Sequence, residues 1–255
     1  MNLSQVYTKG FFEHMHRTAS PSATAMVPIV LELIRPKSVI DVGCGTGEWL
    51  LAFQEYGIDD ILGIDGDYID RSLLALPQEH FKAIDLAKPF VLDRTYDLAV
   101  CLEVAEHLAP ECASDFITSL TQLAPIILFS AAIPFQGGNH HVNEQWPEYW
   151  AELFASKGFV PIDIVRQKIW NHDQIELYYR QNTLLFCTKQ IALSDSTLNE
   201  AFRATDPSKL ALVHPEFFVH RSKWYREYIT WLEHMTVFQY MKSVARRILR
   251  KGTRK

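Results

Sequence analysis

The sequence predicts an α/β fold built on a largely parallel sheet. Three observations predict it. Short apolar runs rich in Val, Ile and Leu alternate with longer amphipathic stretches. A glycine loop, VGCGTGEW at 42–49, joins the first such run to the next amphipathic one. Acids stand at the ends of three successive runs, at Asp41, Asp65 and Asp85. Runs with little polar alternation suit strands buried on both faces, and a βαβ succession implies right-handed crossovers between parallel strands.

Taken in order, the pattern predicts a helix over 22–34 and a strand over 38–42. A helix over 46–56 and strands over 60–65, 81–84 and 96–102 follow. The next helix spans 110–123, with Pro110 placed where a helix start tolerates it. A strand at 125–131 follows, then a helix over 145–157 that stops at Gly158, and strands at 159–165 and 183–189. Beyond 190 the character changes. Residues 191–222 are weakly patterned, and 223–250 carry a helical stripe of Trp224, Tyr228, Trp231, Met235, Phe238, Met241, Ala245 and Ile248. The expected organisation is therefore one domain over 1–190 and a helical C-terminal extension over 191–255.

Composition narrows the class. The chain has 255 residues, 48% hydrophobic and 22% charged, which is ordinary for a globular protein. No apolar run reaches the roughly 20 residues that span a bilayer, and the N-terminus lacks the apolar core of a signal peptide. Cys44, Cys101, Cys112 and Cys187 show no CxxC spacing and suit a reducing cytoplasm. Net charge is −5, unevenly spread: from Lys242 onward there are seven Lys or Arg and no acid, leaving 18 basic and 30 acidic residues elsewhere. An acidic body argues against a broad nucleic-acid footprint, and the basic end points to a local anionic partner.

The glycine loop has its own chemistry. Gly43, Gly45 and Gly47 let the backbone turn tightly and approach a ligand closely. Their spacing is GxGxG, not the GxGxxG of dinucleotide sites. Asp41, two residues before the first glycine, would repel a pyrophosphate and favour a cationic ligand. Asp65 stands where a carboxylate can hold ribose hydroxyls, and Asp85 where one can accept from an adenine amino group.

DVGCGTG, GIDGDY, AIDL and YDLAVCLEVAEHL together resemble the ordered motifs of class I S-adenosylmethionine-dependent methyltransferases, over about residues 25–190. The resemblance implies a Rossmann-like seven-stranded sheet, the last strand antiparallel, with S-adenosylmethionine across the carboxyl ends of the strands. By position it implies that Gly43, Gly45 and Gly47 pass the methionine moiety, with Asp41 nearby. Asp65 would hold the ribose, and Asp85 with Leu86 would frame the adenine.

LEVAEH, residues 102–107, follows the fourth strand. In a helical turn Glu103, Glu106 and His107 would share one face. The cluster resembles the Glu-x-x-Glu-His of ubiquinone-pathway O-methyltransferases and of small-RNA 3′-terminal 2′-O-methyltransferases, which hold a divalent metal there. That likeness implies Glu103, Glu106 and His107 as ligands for Mg or Mn, with His141 as the later histidine. In metal-free relatives the same cluster contacts cofactor or caps the next helix, so Glu103 is equally a candidate cofactor contact. His141 would then be the general base. The stretch FSAAIPFQGGNHHVNEQWPEYW, 129–150, resembles bacterial methyltransferases tied to surface glycans. It implies a substrate loop, with His141 and His140 as catalytic candidates beside Glu106 and His107.

The expectation is a cytoplasmic O-methyltransferase acting on a hydroxyl of a sugar, glycan or related small molecule. Two rivals stand beside it: 2′-O-methylation of an RNA 3′ end, and a cofactor-binding scaffold without turnover. The aromatic stripe suits packing on its own domain or in a homodimer. The basic end, VARRILRKGTRK, suits peripheral contact with the inner face of a membrane.

Overall fold

A computed structural model of the chain describes residues 9–235 together with 241 and 242. The chain divides into two compact units, Met1–Leu212 and Val213–Lys255. In the first, helix α1 (Lys9–Ile34) leads to strand β1 (Ser38–Val42), helix α2 (Glu48–Glu55), and strands β2 (Asp60–Asp65), β3 (Phe81–Ala83) and β4 (Leu98–Leu102). Helix α3 (Ala113–Leu123), strand β5 (Ile126–Ser130), helix α4 (Pro147–Ala155) and strand β6 (Phe159–Ile162) follow. Helices α5 (Val165–Ile169) and α6 (Leu177–Asn182), strand β7 (Leu184–Thr188), and helices α7 (Lys189–Ser194) and α8 (Ser196–Ala204) complete it.

The seven strands form one sheet in the order β3-β2-β1-β4-β5-β7-β6. β7 runs antiparallel to β5 and β6, and the other pairs are parallel. Alternating residues feed two separate cores. Val39, Leu98, Val100 and Leu128 pack with α1, α2 and α5 on one face. Ile40, Val42, Ala99, Cys101, Ile127 and Phe129 pack with α3 and α4 on the other. Coverage of both faces is why the strand sequences lack alternation.

Several expected elements are shorter than the sequence suggests. The fourth strand starts at Leu98, and Asp97 instead accepts the amides of Lys37 and Ser38 at 2.7 and 3.2 Å. The sixth ends at Ile162, because Asp163 turns to pair with Arg166. The first helix is longer than expected and contains both Pro21 and Pro28. The weakly patterned 191–222 holds α7 and α8, with the side chain of Asp195 accepting from the amide of Leu198 at the start of α8.

The second unit contains helix α9 (Pro215–Glu233), none of whose residues is buried. The expected stripe is present on α9 at Trp224, Tyr228 and Trp231; Met235 lies beyond the end of that helix, and Phe238, Ala245 and Ile248 lie outside the described residues. Among the described residues no helix is long and apolar enough to cross a membrane.

Arg166 ties the far edge of the first unit together. Its side chain is 1% exposed and makes two bonds to the Asp163 carboxylate, at 3.0 and 2.5 Å. It also donates to the carbonyls of Leu210 at 2.8 Å and Gln181 at 3.4 Å. Arg166→Ala strands a carboxylate and two carbonyls, and should cost about 3–5 kcal/mol in urea unfolding. Arg166→Lys should recover only part of that loss, because an ammonium lacks the guanidinium fork.

Candidate active site

The carboxyl ends of β1, β2 and β4 open into a cavity of about 990 Å³. Seven carboxylates line it: Asp41, Glu48, Asp65, Asp67, Asp85, Glu103 and Glu106. Among the described residues lining it there is no Lys or Arg. Such a wall attracts cations and repels phosphates.

The glycine loop forms one side. Gly43 has φ +82°, and a Cβ there would lie 2.4 Å from a Val104 methyl carbon, so no other residue fits. Its amide donates to the Ile64 carbonyl at 2.8 Å, which pins the loop to β2. Gly45 donates to Asp65 at 2.9 Å, and Gly47, at φ +95°, starts α2. Asp41 is buried, and one of its oxygens has no partner. Burial, then Asp65 and Glu48, push its carboxyl well above the usual range.

Asp65 accepts from the amides of Gly45 and Gly66 and from the Tyr68 hydroxyl, at 2.9, 2.6 and 2.5 Å. Burial still raises its carboxyl against those three bonds. Of the three donors, only the Tyr68 side chain can rotate away to admit a ribose hydroxyl. Asp85 is half exposed and pairs with Lys88 at 2.9 Å, which lowers its carboxyl. Leu86 beside it is buried, and both line the cavity.

LEVAEH does not form the expected helical turn. Glu103 sits just past β4 with φ +55°, and only Ala105–His107 coil, as a 3₁₀ turn. The left-handed residue swings Glu103 away from the face it would share in a helix. Its carboxylate instead accepts from Gln136 Nε2 at 2.7 Å and Asn182 Nδ2 at 3.0 Å. Asn182 also donates to Gln136 Oε1 at 2.8 Å, closing a three-residue ring.

Glu106, His107 and His141 converge. Each offers one donor atom, and these atoms lie within 4.8 Å of one another. The expected metal set is thus three residues here, and Glu103 is outside it. Glu106 is fully buried, with no aligned hydrogen-bond partner for either carboxylate oxygen. Burial, then the nearby Glu103 charge, raises its carboxyl well above normal. Amides of Glu106 itself and of Ala132 oppose that rise without closing an aligned bond. Burial, then the neighbouring His141, lowers the His107 imidazole to about 4. The two rings meet edge to face at 4.9 Å.

The loop after β5 delivers His141. Phe135, Gly137 and His140 all have positive φ, of 68°, 70° and 61°. Two of the three are not glycine, so the loop holds strain that other bonds must offset. Glu144 supplies those bonds. It accepts from the amides of Phe135 at 2.8 Å and Gly137 at 2.6 Å, and its Oε1 lies 3.0 Å from His141 Nδ1. A Cβ on Gly138 would sit 2.2 Å from His141 Nε2, so this glycine makes room for the ring. His140 is exposed, and its side chain is not among those lining the cavity.

Sequence reasoning therefore missed Glu144, Gln136 and Asn182 as site residues. A His-x-x-Glu pair in the loop was the available signal for the first. Gln136 and Asn182 are 46 residues apart and gave none. Tyr178 and Tyr179 of α6 and Ala19 of α1 were also missed, and all three line the cavity.

Residues 11–162, more than half the chain, match a family model described as a methyltransferase domain. No curated protein matches the chain. Among solved structures the chain is similar to CalS10 with SAM bound, an amino pentose methyltransferase from Micromonospora echinaspora. That match has 16% identity, 70% of this chain, 96% of that chain and a TM-score of 0.52. It is also similar to the sugar N-methyltransferase KedS8 from a Streptoalloteichus species, with 15% identity, 70% and 91% coverage and a TM-score of 0.52. Magnesium protoporphyrin IX methyltransferase from Synechocystis gives 20% identity, 72% and 92% coverage and a TM-score of 0.48. At these identities the likeness to the first two structures establishes the fold alone. With the family match and the glycine-loop cavity, it follows that the chain belongs to the methyltransferase-domain family and is an S-adenosylmethionine-dependent methyltransferase.

Proposed function

We propose that this methyltransferase acts on a hydroxyl of a sugar, glycan or related small molecule. The observation that carries the reading is the convergence of Glu106, His107 and His141 at the end of a cavity with no Lys or Arg among its described lining residues. S-adenosylmethionine supplies an electrophilic methyl group on a cationic sulfonium. The acid-rich wall and the Gly43 cradle fit such a donor.

A hydroxyl is a poor nucleophile until its proton has somewhere to go. His141 is placed to take it. With Nδ1–H directed at Glu144, Nε2 is left as the acceptor nitrogen. As the new O–CH₃ bond forms and the S–CH₃ bond breaks, the hydroxyl proton passes to Nε2, and S-adenosylhomocysteine leaves. Glu144 stabilises the imidazolium that results. His107, neutral near pH 7, can orient the acceptor without competing for charge.

A specific observation favours a second version of the same reading. Glu106 is buried with both oxygens lacking an aligned partner, which is costly for an ionised carboxylate. A divalent cation held by Glu106, His107 and His141 would offset that cost. It would lower the pKa of an acceptor hydroxyl and orient it. Mixed carboxylate and imidazole donors suit Mg, Mn or Fe. Glu144 fits this version too, because a ligating histidine usually hands its other nitrogen to a carboxylate. A phosphate-bearing acceptor such as an RNA end finds no Lys or Arg among the described cavity wall.

Release of S-adenosylhomocysteine over a panel of neutral sugars, amino sugars, sugar phosphates and an RNA oligonucleotide tests the acceptor class. Turnover confined to neutral sugar hydroxyls is expected. Donor binding with no turnover on any acceptor would leave only a scaffold. On the working acceptor, His141→Ala should lower kcat on the order of 10²–10⁴-fold, and Glu144→Gln by less.

Mn²⁺ titration followed by electron paramagnetic resonance separates the two versions. Stoichiometric binding lost in both Glu106→Ala and His141→Ala assigns the cation site, and no binding to the wild type leaves His141 as base.

His107 also sets a pH dependence. Its folded value of about 4 lies below the unfolded 6.5, so between those values the unfolded chain binds the extra proton. Stability should therefore rise with pH through that window and fall on acidification, by on the order of 3 kcal/mol in all. His107→Gln should flatten this limb in denaturation curves taken across it.

A further inference from the structure

The second unit carries an aromatic face that the proposed chemistry leaves unused. On α9, Phe217, Trp224, Tyr228, Trp231 and Leu232 fall within one arc of the helix. Trp224 is 51% exposed and Trp231 54%. Nine residues beyond the end of α9, at Lys242, begins the stretch with seven Lys or Arg and no acid.

We propose that this C-terminal segment docks the protein on an anionic lipid surface. Trp and Tyr have an apolar body and a polar edge, and they concentrate where hydrocarbon meets water. Arg221 sits inside the aromatic arc, 5.9 Å from the Phe217 ring and 5.8 Å from the Trp224 ring. A cation in that place can reach headgroups while its stem covers rings. A cluster of basic residues then adds the second signal that stable surface binding needs, alongside a buried apolar face.

Two other occupants fit less well. A second copy of the chain brings a second run of seven cations, which Glu216, Glu227 and Glu233, the acids of this unit, are too few to neutralise. Single-stranded nucleic acid needs open ring faces for its bases. Here Trp224 lies parallel to Tyr228 at 5.5 Å and 2°, and Tyr228 near-parallel to Trp231 at 5.8 Å and 26°, so each of these rings turns a face toward a neighbouring ring.

The test is co-sedimentation of the full chain with vesicles of phosphatidylcholine, alone or doped with phosphatidylglycerol, at low and high salt. Binding is expected on the doped vesicles, weak on the neutral ones, and reduced by salt. Replacing Arg246, Arg247, Arg250 and Lys251 by Gln should weaken partitioning on the order of a thousandfold. Trp224→Ser with Trp231→Ser should abolish the part of the binding that resists salt. Retained binding of S-adenosylhomocysteine reports that each variant is folded.

Failure of the wild type to bind doped vesicles would overturn the proposal. So would a dimer, seen in sedimentation velocity, that the paired Trp variant dissociates, because the face would then belong to a second copy. Tight salt-sensitive binding of poly(U) that displaces vesicles would overturn it in favour of nucleic acid.

Discussion

Burying carboxylates around one cavity, with no Lys or Arg among the described wall residues, is the constraint on which the rest of this structure depends. An ionised carboxylate taken out of water costs several kcal/mol unless a proton, a dipole or a cation compensates it. This chain uses dipoles at Asp65, where two amides and a tyrosine hydroxyl converge. At Asp41 and Glu106 the compensation is incomplete, and both groups are pushed toward the protonated form. A site in that condition is poised for positive charge. S-adenosylmethionine brings that charge as a sulfonium, and in the proposed reading a proton or a cation near His141 would add to it.

Sheet order explains how distant residues reach the same few ångströms. β4, β5 and β7 are neighbours, and β7 runs against the other two. The ends of β4 and β5 and the start of β7 therefore meet at one edge of the sheet. Glu103 leaves β4, Gln136 follows β5 and Asn182 precedes β7, and the three close a hydrogen-bonded ring. That ring holds Glu103 aside and frees the 3₁₀ turn to present Glu106 and His107. Strain in the loop after β5 has a parallel role. Glu144 binds two of its amides, and the same carboxylate fixes the ring of His141. One acid thus shapes the loop and orients the residue that the loop exists to deliver.

The two units divide physically different tasks. The first buries its apolar residues in two cores and gathers acids around the cavity. The second leaves most of its described aromatic side chains exposed, and its sequence from Lys242 onward is basic. Net charge averaged over the whole chain conceals this division.

Much of the fold was legible in the sequence, because it rests on local patterns. Buried strands need continuous apolar runs, and the glycine loop needs residues that tolerate positive φ and a close neighbour. Those demands are met within a few residues, so Ser38–Val42, Gly43 and the acids at Asp41, Asp65 and Asp85 could be placed directly. The expected turn at LEVAEH was misread, because a helix and a left-handed break followed by a 3₁₀ turn share the same residue types. Only the packing of Val104 against Gly43, and of the Glu103 amide against Ser130, selects between them. The sequence by itself determined the sheet, the donor loop and the candidate histidine loop. Tertiary structure alone decided that Glu103 joins Gln136 and Asn182 while Glu106, His107 and His141 meet. Those contacts bridge strands that are neighbours in space and far apart along the chain, and no local period records them.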